Sequence, residues 1–79
     1  MFKNKNEERN NLCGERIRAF RLAHPDKLSQ RALADRMQLI GIDVDKNAIQ
    51  RIECGKRFVT DIELKAFSEI FGVRMDDLV

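Results

Sequence analysis

The 79-residue sequence predicts an all-α domain, a compact bundle of five short helices. Three observations point there. Apolar residues recur three and four apart, the spacing that puts them on one face of a helix. Residues that start and stop helices fall between those stretches at short intervals. No run alternates apolar and polar long enough to make a strand, and Val and Thr are few.

The elements follow in order. Residues 1–10 are polar, rich in Asn, Lys and Glu, and are expected to form a frayed tail before a domain at 11–79. Leu12, Ile17, Ala19, Phe20 and Ala23 mark a first helix over roughly 11–23, which Pro25 terminates by disfavouring helical geometry at His24. Ser29 caps a second helix striped by Leu33, Ala34, Met37 and Ile40, with Gly41 as its left-handed stop. Asp45 caps a third helix, 46–53, with Ile49 and Ile52 facing inward and Gly55 after it. Thr60 and Glu63 form a capping box for a fourth, striped by Leu64, Phe67 and Phe71 and closed by Gly72. That stripe reads first as core and second as a dimer surface. Residues 75–79 make a last short turn of helix. The expected core is Ile17, Phe20, Leu28, Leu33, Ala34, Met37, Val44, Ile49, Ile52, Leu64, Phe67, Phe71, Val73 and Leu78.

Composition narrows the function. An apolar share of 43% supports one core and excludes global disorder. No 18-residue apolar stretch or secretory leader is present, so no membrane association and a cytoplasmic location are expected. Two cysteines do not build a disulfide scaffold, and one histidine with two scattered cysteines cannot supply a zinc site. Asp43-x-Asp45-x-Asn47 opens like a calcium loop, but Ala48 and Cys54 stand where that loop needs Gly and Glu. His24 has no ligand-spaced partner, and neither Cys13 nor Cys54 has a visible base. No nucleophile elbow, phosphate loop or catalytic carboxylate pair occurs, so neither an enzyme nor a cofactor is expected. Charge is uneven: residues 1–57 hold 13 basic and 8 acidic side chains, residues 58–79 hold 2 and 5. That asymmetry suits a polyanionic partner on one face.

The residues carry a resemblance. Leu28-Ser29-Gln30, Leu33-Ala34 and Ile49-Gln50-Arg51-Ile52-Glu53-Cys54-Gly55-Lys56-Arg57 stand in order, preceded by Glu15-Arg16-Ile17-Arg18 and followed by Gly72-Val73 and Asp76-Asp77-Leu78. Together they resemble the Cro/repressor helix-turn-helix domain, the XRE-type or lambda-repressor-like family, over about residues 12–79. The resemblance implies a sequence-specific double-stranded DNA-binding regulator, acting as a repressor. Helices two and three would be its motif and helix three would lie in the major groove. It implies base reading by Lys46, Asn47, Gln50 and Arg51, and phosphate binding by Gln30, Lys56 and Arg57. It also implies a partly buried ion pair between Arg21 and Glu53, and a homodimer on a two-fold-symmetric operator.

The residue types agree with those roles. Lys46, Asn47, Gln50 and Arg51 share a broad polar face opposite Ile49 and Ile52. Asn and Gln can pair bidentately with adenine, Arg or Lys with guanine. The joint between helices two and three is about five residues longer than the family's usual turn. The surplus is expected in an extra turn of helix two ending at Gly41, with Gly41 at positive φ and Ile42 or Val44 turned inward. Asp43 and Asp45 place negative charge beside the expected phosphates. The alternative function is a protein-interaction module, such as an antitoxin-like partner. The polar row on helix three favours DNA over that reading.

Overall fold

The computed structural model describes residues 9–79, and no strand occurs among them. Four α-helices pack around one core: α1 (Gly14–Ala23), α2 (Gln30–Leu39), α3 (Lys46–Glu53) and α4 (Asp61–Phe71). The expected fifth helix is a single 3-10 turn over Met75–Leu78. It still contributes to packing, because it seats Leu78 in the core.

Helix boundaries follow capping chemistry. Ser29, Asp45 and Thr60 each accept a backbone N–H three residues on, at 3.0, 2.8 and 3.2 Å, which satisfies a donor the helix cannot pair internally. The Thr60 N–H donates to Glu63 Oε1 at 3.0 Å, completing the capping box. His24 leaves helical geometry before Pro25, with ψ at 141°.

α1 corrects the expected start at residue 11. The chain turns inward first, and the Gly14 N–H donates to the Asn11 side chain at 2.8 Å. Gly14 lies so close to α3 that a Cβ there would run into the Ile52 carbonyl oxygen. Leu12, Ala19 and Ala23, which helped mark the helix in the sequence, are exposed. Arg9 and Asn10 do not belong to a frayed tail, since Arg9 bonds to the last residue of α3 and Asn10 to the turn after it. The rest of the expected tail, residues 1–8, lies outside the described residues.

The joint between α2 and α3 runs over residues 40–45. α2 stops where Gly41 adopts φ +89°, and the Ile42 N–H donates to the Met37 carbonyl at 2.9 Å across it. Val44 is buried and Ile42 half-buried, while Ile40, read as the end of the α2 apolar stripe, is exposed. The Gln38 side chain donates to the Val44 carbonyl at 2.9 Å and ties the joint back to α2.

Every residue of the expected core is buried or packed against the buried cluster. Ile17, Leu33, Met37, Ile49, Ile52, Phe67 and Leu78 are fully enclosed. Phe71 bridges Phe20 and Phe67, with ring centroids 5.8 and 6.4 Å away. The α4 stripe is therefore interior. Cys13 and Ala66 join the core unexpectedly, small enough to fill the close approaches between helices.

Candidate nucleic-acid interface

α3 is short and needs anchoring at both ends to hold a fixed direction, because an eight-residue helix is marginal on propensity alone. Ile49 and Ile52 plug one side into the core with no exposed surface. Lys46, Asn47, Gln50 and Arg51 are all exposed on the opposite side. At the first end Asp45 caps the helix, and its charge lies beside the N-terminal N–H groups, where it is favourable. Asp45 faces away from the core together with Asp43, so the outward face carries carboxylates as well as cations.

The second end is fixed by charge. Arg21 reaches from α1 and grips Glu53 in a bidentate pair, Nε to Oε2 at 2.7 Å and Nη2 to Oε1 at 2.9 Å. The two side chains are only 9% and 3% exposed. The remaining Arg21 nitrogen donates to the Leu28 carbonyl at 3.0 Å, tying in the loop before α2. This is the ion pair that the resemblance implied.

Gln30 joins the same cluster. Its amide donates to Glu53 Oε1 at 3.1 Å, so the first residue of α2 is locked to the last residue of α3. A carboxamide nitrogen carries two hydrogens, and one remains to meet another acceptor.

Lys56 and Arg57 have different fates. Lys56 is exposed on the loop after α3 and forms no ion pair among the described residues. Arg57, expected as a phosphate ligand, pairs with Glu63 in the free protein: both terminal nitrogens donate to its carboxylate at 3.0 Å, and one also donates to the Phe58 carbonyl at 3.1 Å. Burial pushes the Glu63 carboxyl up. Bonds from Arg57 and Thr60 and the Arg57 charge outweigh it, leaving Glu63 below the usual carboxylate range. The bond to Glu63 raises Arg57 correspondingly. The pairing has a chemical reason: the capping Glu63 is nearly buried, and a fork-shaped guanidinium neutralises it better than solvent can.

No His/Cys/Asp/Glu cluster able to hold a metal occurs among the described residues. Burial pushes the Cys13 thiol up, which disfavours its thiolate form. No helix among the described residues is long and apolar enough to cross a membrane.

Sequence reasoning missed Arg9, Asn10 and Asn11, which together reach the far end of α3. Their only signal in the sequence was an asparagine three residues before a helix start, hidden in a stretch that looked featureless. No protein-family model matches this chain, and no curated protein or solved structure matches it.

Proposed function

We propose that the protein is a sequence-specific double-stranded DNA-binding regulator of the lambda-repressor-like helix-turn-helix type, with α2 and α3 as its motif and α3 docked in the major groove. One observation carries the reading. α3 turns Lys46, Asn47, Gln50 and Arg51 outward together while its inner side and both ends are anchored. Such a helix can lay amide and guanidinium groups against base edges without paying to order its backbone.

In this reading Asn47 and Arg51 specify bases, with Lys46 and Gln50 beside them. Gln30, through its second amide hydrogen, and Lys56 hold phosphates on either side. Arg57 serves the fold. The long α2–α3 joint carries Asp43 and Asp45, whose charge opposes close approach of a phosphate backbone there. A single domain makes few phosphate contacts, so the operator is two-fold symmetric and the bound form a homodimer. Occupying that site represses the adjoining gene.

Selection from random DNA duplexes tests this. The expected product is an enriched palindromic motif. Arg51→Ala should then cost about 1–3 kcal/mol on the selected site and relax one position, with little effect on scrambled DNA. Lys56→Ala should weaken both duplexes and lower the salt slope by about one. Equal losses on both duplexes for Arg51→Ala would remove it as a base reader. No duplex binding at low salt would overturn the DNA reading in favour of a protein partner.

A further inference from the structure

The end of α3 and the loop behind it present a row of backbone carbonyls to the segment ahead of α1. A left-handed glycine turn pairs the amides there: the Gly55 N–H donates to Ile52 and the Lys56 N–H to Arg51, at 3.0 and 2.8 Å. It leaves other acceptors of the same stretch to find donors elsewhere. Three consecutive residues ahead of α1 supply them. Arg9 Nη2 donates to the Glu53 carbonyl at 2.8 Å. The Asn10 backbone N–H donates to Gly55 at 2.7 Å and its side chain to Lys56 at 3.1 Å. The Asn11 carboxamide donates to both Ile52 and Arg57, at 3.0 and 2.8 Å, while its oxygen caps Gly14.

Two further features fit that arrangement. The Arg9 side chain lies along Gly55 so closely that a Cβ at Gly55 would collide with it. The Arg9 cation also sits at the C-terminal end of α3, the pole of the helix dipole that favours positive charge. Glu15 faces Arg9 at 3.6 Å from α1 and holds it from the other side.

The geometry points to a positioning role for this segment: Arg9-Asn10-Asn11 is a clasp that fixes the loop carrying Lys56, and so sets where that ammonium meets a phosphate, without any of the three touching DNA. The phosphate half of this inference rests on the proposed DNA-binding function. The clasp itself is a property of the free protein. Lys56 has no side-chain bond among the described residues to hold it, so its reach is set by its backbone, and five of the carbonyls around it are held by donors from this one segment.

Asn11→Ser is the informative variant. Serine keeps a neutral oxygen able to cap Gly14 but is too short to reach the Ile52 and Arg57 carbonyls. Asn10→Ala, on an exposed bond, is the milder companion should the first variant fold poorly. Amide hydrogen exchange in the free protein should accelerate at Asn10, Gly55 and Lys56 by roughly tenfold, the scale of two lost hydrogen bonds, with α2 amides unchanged. Unchanged exchange at those three amides in both variants would overturn the clasp. On DNA, each variant should bind several-fold more weakly with base preference retained and a shallower salt slope. Combined with Lys56→Ala, either should cost no more than Lys56→Ala alone, because the clasp acts through that residue. Additive losses would overturn the positioning role. If the parent protein binds no duplex, the DNA reading fails, and exchange in the free protein still decides whether the clasp exists.

Discussion

Replacing Arg21 with alanine removes three hydrogen bonds from a buried site at once. Glu53, 3% exposed at its side chain, loses both Arg21 bonds to its carboxylate and keeps only the Gln30 amide, and the Leu28 carbonyl loses its donor. The cost is set less by the attraction forfeited than by the charge left without compensation in a poorly solvated place. Arg21→Ala should therefore destabilise by roughly 2–4 kcal/mol. A domain of this size has a total stability of about 4–12 kcal/mol, so the loss is a large share of the whole. It corresponds to a fall in Tm of roughly 10–25 °C. Arg74→Ala is the control, since Arg74 and Asp76 form a pair that is 82% and 84% exposed, of a kind contributing about 0–1 kcal/mol. Urea and thermal unfolding of both variants measure the difference. A loss for Arg21→Ala no larger than for Arg74→Ala would refute the argument. A double variant, Arg21→Met with Glu53→Met, should recover most of the loss, because removing both charges removes the desolvation cost along with the attraction.

Three other outcomes are expected. Gly41→Val should destabilise by about 1–2 kcal/mol in unfolding titrations, because φ +89° suits no β-branched residue even though open space surrounds the position. The folded carboxyl of Glu63 sits below its unfolded value, so its contribution is full above the ordinary carboxylate range and is lost as pH falls through the lowered folded value. Unfolding measured across that range should show the stability gap between the parent and Glu63→Gln closing in acid; a gap that widens would contradict the sign. A thiol reagent at neutral pH should modify the exposed Cys54 quickly and the buried Cys13 only after denaturant is added, and two fast thiols in the native protein would show the packing around Cys13 to be looser than described.

Local chemistry explains why so much of the fold was legible. Ser29, Asp45 and Thr60 cap helices wherever they precede an apolar stripe, because the first N–H groups of any helix need acceptors. Ile49 and Ile52 face inward because helical spacing leaves them nowhere else to go. The outward set on α3 followed from the same periodicity. By itself, then, the sequence determined an all-helical chain, its element order, nearly all of its core and the polar face of α3.

Tertiary structure decided what local spacing does not encode. Arg57 and Lys56 are adjacent basic residues with the same sequence signal. Only the fold brings the buried Glu63 against one and leaves the other in solvent. Gln30 was readable as a polar residue at a helix start, but its bond to Glu53 joins positions 23 residues apart. Asn11 caps α1 locally and bonds across to α3 at the same time, which moved the start of α1 inward to Gly14. Helices announce themselves through contacts three and four residues away. Partners for carbonyls at a helix end and for buried charges are chosen by which chain segment arrives beside them, and that is a property of the packed molecule.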